Sequence, residues 1–277
     1  LGIESQQRLR LRNAVITGLS KSDLALDQCW PVSVVGDSFL TTDPDCRLYA
    51  HTDDQRRQLL LRRIDDNTVH TSLKLKPQMT RLIGMRFSPD GTRLGARYEA
   101  GRGRERLQIW ELPAGKEIAD LAVGGFGQAA DFSVDGARMA YVVPGNRSIE
   151  IRQLPAFSLE NKIDLETPVQ TLALAPDNNA LAAYGEESIA LYDVQSGRLT
   201  QRLQCPAHAY VLEFSPDSSR LAAAGRDTRI RLYDLADQDA DEPRMPSDVL
   251  EGHTAMVVKT SWHPHEPILA SCSNWSR

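Results

Sequence analysis

His263-Pro264-His265-Glu266 is the densest run of metal-capable side chains in the chain, two imidazoles and a carboxylate within four positions. A zinc site needs such donors brought to tetrahedral spacing, usually from separate elements. Here they surround a proline between two apolar stretches, where a polar turn is expected on other grounds, so no metal is assigned. Asp53-Asp54 and Asp65-Asp66 have the look of acid/base pairs. Both fall where turns are expected, and aspartate is favoured there because its carboxylate accepts nearby backbone N–H groups. Gly124-Gly125-Phe126-Gly127 superficially matches a phosphate-binding loop but lacks the lysine and the following helix that such a loop requires. No G-x-S-x-G elbow occurs, and none of the H-R-D, D-F-G or V-A-I-K segments of a kinase. No catalytic residue is therefore assigned, and no cofactor.

Bulk properties fit a water-soluble globular chain. The 277 residues are 25% charged and 41% hydrophobic, with a formal charge of −5. That figure hides an asymmetry. Residues 1–110 carry 18 Lys+Arg against 13 Asp+Glu, and the remainder 14 against 24. The surface is expected to be dipolar, which gives no case for a nucleic-acid partner. Cys29, Cys46, Cys205 and Cys272 are scattered without metal or disulfide spacing and are expected to act as small core residues. No stretch reaches the run of about 18 apolar residues that a membrane helix needs.

The elements that would position any site emerge from internal repetition. In Leu212 to Leu235, LEFSPDSSRLAAAGRDTRIRLYDL, apolar residues alternate up to Phe214, then Ser215-Pro216-Asp217-Ser218 supplies a tight turn. Leu221 to Ala224 is an apolar run closed by a second turn, and Ile230, Leu232 and Leu235 resume a strand around Tyr233-Asp234. The residue opening the second strand recurs as Leu48, Leu94, Met139, Leu181, Leu221 and Leu269, at separations of 46, 45, 42, 40 and 48. The turn ahead of it recurs as Asp43-Pro44-Asp45, FSPDG, FSVDG, LAPDN, FSPDS and WHPHE. An all-β chain with this period is expected to be a β-propeller.

With Gly252-His253 ahead of a strand, the SPDG turns, and Trp110-Glu111, Tyr192-Asp193 and Tyr233-Asp234 where a Trp-Asp pair is usual, the chain resembles the WD40 repeat family over about residues 37 to 277. The resemblance implies a WD40-like propeller over 28–277, with five full units and part of a sixth from a ring of seven, and unpaired strand edges at the open side. Cys205 stands where the fifth unit would have its histidine. The family presents partners on one narrow face, through the residue six before each first-strand aromatic. Here those positions are Arg81, Phe126, Pro168, His208 and Met256, with Arg226 on the hairpin of the fifth unit. A protein or peptide partner is expected there, Phe126 being its anchor.

Residues 1–27 differ in texture. Leu11, Val15 and Leu19 at a spacing of four among arginines predict a short amphipathic helix, a leader to the propeller. The leader and first unit resemble the segment between membrane helix and propeller in multidomain bacterial Ser/Thr kinases of the planctomycete type. That resemblance implies a signalling setting with kinase and membrane segment upstream and leaves open which side of a membrane the propeller faces. TolB-like or peptidase-linked propellers, which also carry SPDG turns, and a purely structural scaffold are the other readings.

Overall fold

The computed structural model describes residues 40–53, 55, 57–101, 103–125, 127–235 and 243–274. The described residues fall within one compact unit, 35–277. The leader 1–27, Cys29, Val32 to Val35 and Phe126 lie outside them. Among the described residues there is no helix, and so none long and apolar enough to cross a membrane.

Among the described residues, twenty-two strands form six antiparallel sheets in chain order. The first sheet holds β1 (Thr41–Thr42), β2 (Leu48–Thr52), β3 (Gln58–Arg63) and β4 (Val69–Lys74). The second holds β5 (Arg81–Phe87), β6 (Arg93–Glu99), β7 (Glu105–Glu111) and β8 (Lys116–Val123). The third holds β9 (Ala130–Phe132), β10 (Arg138–Val142), β11 (Ser148–Gln153) and β12 (Ser158–Asp164). The fourth holds β13 (Thr171–Leu174), β14 (Ala180–Gly185), β15 (Ser188–Asp193) and β16 (Leu199–Gln204). The fifth holds β17 (Ala209–Phe214), β18 (Arg220–Gly225), β19 (Ile230–Asp234) and β20 (Asp248–Leu250). The sixth has two described strands, β21 (Val257–Trp262) and β22 (Leu269–Ser273). Five four-stranded sheets and a partial sixth match the unit count expected from the repeats.

The core lies between sheets rather than inside any one of them. One apolar cluster joins Leu107, Ile109 and Val123 of the second sheet to Phe132, Met139 and Tyr141 of the third. Equivalent clusters join the first to the second sheet, the third to the fourth, the fourth to the fifth and the fifth to the sixth. Leu94, Met139, Leu181 and Leu221 are all fully buried at the same place in their sheets, whereas Leu48 and Leu269 are half-buried. Complete burial of one such side chain contributes about 1.5–3 kcal/mol. Both faces of β18 are covered, so Leu221-Ala222-Ala223-Ala224 reads as an unbroken apolar run instead of an alternating one. Trp110, Tyr192 and Tyr233 are buried in the third strands of their sheets.

The recurring turn has a definite hydrogen-bond construction. Ser215 Oγ donates to Asp217 Oδ1 at 2.6 Å and accepts the Arg220 N–H at 2.9 Å. Asp217 Oδ1 also accepts from Ser219 N and Ser219 Oγ. Ser88 with Asp90 and Ser133 with Asp135 repeat the arrangement. The next position takes a positive φ in the first five copies, at Cys46, Gly91, Gly136, Asn178 and Ser218. Cys46 is therefore an exposed turn residue, and Cys272 on β22 is exposed too; among the described cysteines only Cys205 is the buried small side chain expected from the sequence.

Three donors on Asp217 Oδ1 hold its carboxyl down at about 2 from an ordinary 3.8, the Ser215 hydroxyl contributing most. The folded state thus favours the ionised form, and its stabilisation is complete above the ordinary value and lost as pH falls through about 2. Asp217→Ala should cost about 1 kcal/mol in urea denaturation at neutral pH. The gap between variant and wild type should narrow below about pH 4 and close near pH 2.

Candidate binding site

Arg81, Pro168, His208 and Met256 stand six positions before Phe87, Leu174, Phe214 and Trp262, at the entry to β5, β13, β17 and β21. The hairpins joining second and third strands come to the same end of the sheets. The His208 carbonyl accepts the Arg226 N–H at 3.0 Å, and any Cβ at Gly225 would overlap that carbonyl oxygen. Pro168 crowds Gly185 in the same way one sheet earlier. The glycines closing β14 and β18 are thus required by close approach of the entry loops.

Of the five narrow-face positions taken six before an aromatic, the structure brings two together. Arg81 is half-exposed and pairs loosely with Glu99 at 3.4 Å. Met256 is half-buried, its carbonyl taking the Asn274 N–H at 2.9 Å. Both line a cavity of about 580 Å³ that is also bordered by Thr41 of β1, Tyr210 of β17 and Lys259 of β21. Ala130 and Phe132 of β9 border it as well, and a cavity bounded by inner strands of five different sheets is the central channel. Pro168, His208 and Arg226 do not line it; His208 and Arg226 are exposed and Pro168 half-buried on the fourth and fifth sheets. Phe126 lies outside the described residues, but its neighbours are tightly held. Arg97 donates to the carbonyls of Gly125, at 3.1 Å, and Gly127. Asn146 Oδ1 accepts the Gly125 N–H at 2.7 Å, and Leu172 N donates to Gln128 O at 2.9 Å.

Sequence reasoning missed a device in the inner strands. The pairing of β5 with β6 slips between Leu82 and Gly84, that of β17 with β18 between Ala209 and Val211, and that of β21 with β22 between Val257 and Lys259. The three irregularities are at one position, four before Phe87, Phe214 and Trp262. Bulges re-aim side chains. The residues skipped are Ile83, Tyr210 and Val258, and all three line the channel. A bulge leaves no compositional mark, so only a three-way alignment with the pairing in hand exposes it.

Below the bulges the channel is charged. Arg86 Nη1 lies 2.9 Å from Asp131 Oδ1 without the alignment of a hydrogen bond. Asp131, only 4% exposed, reaches across to the Leu174 N–H at 2.9 Å. Burial pushes its carboxyl up, against the pull of Arg86 and the two backbone donors. Glu213 plays the same part between the fifth and sixth sheets, accepting from Thr260 Oγ1 at 2.6 Å and Trp262 N at 3.3 Å, while Trp262 Nε1 donates to its carbonyl. Burial raises its carboxyl as well. Lys259 is open to channel water yet walled in by protein; that enclosure, then Arg86, lowers its ammonium, while Glu213 and Asp131 pull it back up.

The other motifs resolve as turn chemistry. His263 Nδ1 accepts from His265 N and Glu266 N, the task that an aspartate or serine performs in the other copies. Among the described residues no cluster of three or more His, Cys, Asp or Glu is placed to hold a metal. Asp53 Oδ1 caps Arg57 N and Gln58 N, and Asp66 Oδ1 caps Thr68 N. Between β6 and β7 the Arg104 N–H donates to the Gly101 carbonyl at 3.0 Å.

In the sixth sheet His253 Nε2 meets Ser271 Oγ at 2.7 Å. In the fifth, with Cys205 in the place of the histidine, Asp227 turns to Arg231 of its own hairpin at 2.5 Å. The WD domain, G-beta repeat family matches residues 198–234 and 244–276. The six sheets are arranged as the blades of a WD40-like β-propeller. Each match begins with the outer strand of one blade and runs through the inner strands of the next, so the sequence repeat is offset by one strand from the blade. Actin-interacting protein 1 of Drosophila melanogaster is 28% identical over 62% of this chain and 30% of its own length. The WD repeat-containing protein WDS homolog of Arabidopsis thaliana is 27% identical over 61% and 30%. A WD repeat-containing protein of Dictyostelium discoideum is 36% identical over 24% of this chain. The chain spans under a third of the length of these curated relatives.

Glu213 carries the polar link between the fifth and sixth blades, so Glu213→Ala should loosen the sixth selectively. Hydrogen exchange in 257–273 should accelerate by about tenfold, about 1.4 kcal/mol of local opening, with blades one to four unchanged. Uniform acceleration throughout would mean that the blades open only together.

Proposed function

We propose that this WD40-type propeller is a non-catalytic protein-interaction or sensing module that holds a protein or peptide partner on its narrow face. The three equivalent bulges that turn Ile83, Tyr210 and Val258 into one channel carry this reading. They give the mouth between Arg81 and Met256 an apolar floor with charge beside it, the mix that interface anchors require. The loops around the mouth are fixed by hydrogen bonds across blades, so little ordering entropy is lost on binding. His208 and Arg226, with Pro168, would form the rim on the fourth and fifth blades, and Phe126, outside the described residues, is kept as the candidate anchor from the sequence.

The setting we propose is the regulatory region of a multidomain bacterial Ser/Thr kinase or similar signalling protein, on the resemblance of the leader and first unit. Partner binding would then be the input to such a protein.

With a partner captured on the immobilised propeller and then purified, calorimetry should show Arg81→Glu/Met256→Glu weakening the complex at least about tenfold, about 1.4 kcal/mol. Unchanged affinity in a double variant of native melting temperature would remove the narrow face from the interface.

A further inference from the structure

The channel is cationic in a chain that is acidic overall. Its lining holds Arg81, Arg86, Arg97 and Lys259 against one carboxylate, Glu105. Two of these cations are committed. Arg97 is held by Glu105 and the glycine-loop carbonyls, and Arg86 faces the buried Asp131. The other two keep their capacity. Lys259 forms no ion pair or side-chain hydrogen bond among the described residues, and Arg81 has only its long, half-exposed contact with Glu99. Around them stand apolar walls, Ile83, Met85, Val211 and Val258 among them. Such walls limit screening and strengthen attraction for an opposite charge.

The space is also longer than one anion needs. Glu105 and Val123 border both the channel and a second cavity of about 720 Å³ between the second and third blades, reaching Arg104 and the 144–146 turn. Sharing these two residues, the two spaces together make up a crevice at the second and third blades.

Building on the narrow-face reading above, we infer that the occupant of this channel and crevice is an acidic peptide segment of a partner protein, with a carboxylate on Lys259 and Arg81 and apolar side chains against the bulged residues. Charge complementarity selects the sign, and the length of the crevice selects a chain over a small anion. A single nucleic-acid strand would want several exposed aromatic faces. The described lining offers Tyr210, Phe132 being buried.

The test uses fluorescence anisotropy with a labelled Glu-Leu-Glu-Ala-Glu-Leu-Glu-Ala peptide, its counterpart with lysine for glutamate, and a short oligothymidylate. The acidic peptide should bind, and bind more weakly as salt is raised. Lys259→Glu should lower its affinity at least about tenfold. Lys259→Arg should retain binding, and Arg198→Glu, on the exposed turn between β15 and β16 and outside the cavity, should leave it unchanged. Should Lys259→Glu melt early, the neutral Lys259→Met is expected to weaken binding by a smaller but measurable factor. Equal binding of the lysine peptide or the oligothymidylate, or wild-type affinity in a folded Lys259→Glu, overturns the inference. A partner still lost on Arg81→Glu/Met256→Glu in that event would spare the narrow-face reading, whereas a partner indifferent to both sets of substitutions would end it.

Discussion

A sheet of four strands, each two to eight residues long, has two faces and too little area to shield either by itself. Here both faces of a middle blade are covered by its neighbours, and each of the five apolar clusters draws its side chains from two successive sheets. That constraint dictates the composition. Inner and middle strands must be apolar on both sides and small where sheets approach, hence Leu221-Ala222-Ala223-Ala224 and Leu181-Ala182-Ala183. Outer strands meet solvent and alternate, as Leu199-Thr200-Gln201-Arg202-Leu203 does. The repeat length follows from four short strands and their turns.

Apolar contact has no direction, so it cannot by itself set how one blade is aligned on the next. Polar links do that. Arg93 of the second blade donates to the Gly136 carbonyl in the turn of the third at 2.8 Å, and Asn178 of the fourth donates to Asp135 of the third at 2.8 Å. Asp177 N donates to Ser218 Oγ of the fifth at 3.1 Å. The recurring turns therefore join one another along one end of the blades. Nearer the axis, Asp131 and Glu213 cross to the following inner strand. Each is a buried carboxylate satisfied by donors of its neighbour, and removing those donors would leave a costly unpaired group.

The legible parts of this fold were those that recur with one chemistry. The Ser-Pro-Asp turns needed a hydroxyl, a carboxylate and a positive-φ residue in sequence, and the anchors Leu94, Met139, Leu181 and Leu221 needed only to be apolar at a fixed distance behind them. The candidate face was legible to the extent that Arg81 and Met256 do border the channel; His208, Arg226 and Pro168 sit on other blades and do not. Asp131, Glu213 and Lys259 escaped notice because each is a single charged residue in a strand of otherwise ordinary pattern. Their meaning depends on which residue of another blade stands opposite, and that is a product of the ring, not of the repeat. Their one local signal is a charge immediately ahead of Phe132 and Phe214, where the fourth unit has Ala173. Cys46 misled for a related reason: burial was assigned by residue type, whereas its place was fixed by the turn it closes.

The same three charges tie stability to recognition. Asp131 and Glu213 are positioned to accept backbone and hydroxyl donors of the next blade, which leaves Arg86 half-compensated and Lys259 without a carboxylate of its own. Had the repeats been perfect, inner strands would have met apolar face to apolar face and the channel would have been featureless. Degeneracy at this one position in the second, third and fifth units, with Lys259 two residues earlier in the sixth, gives the axis a sign. Asp131 and Glu213 are engaged across blade boundaries and neither stands in the channel lining, where Glu105 is the carboxylate set against Arg81, Arg86, Arg97 and Lys259. The groups that hold the blades in register thus also decide that the central opening is positive in a chain whose formal charge is −5.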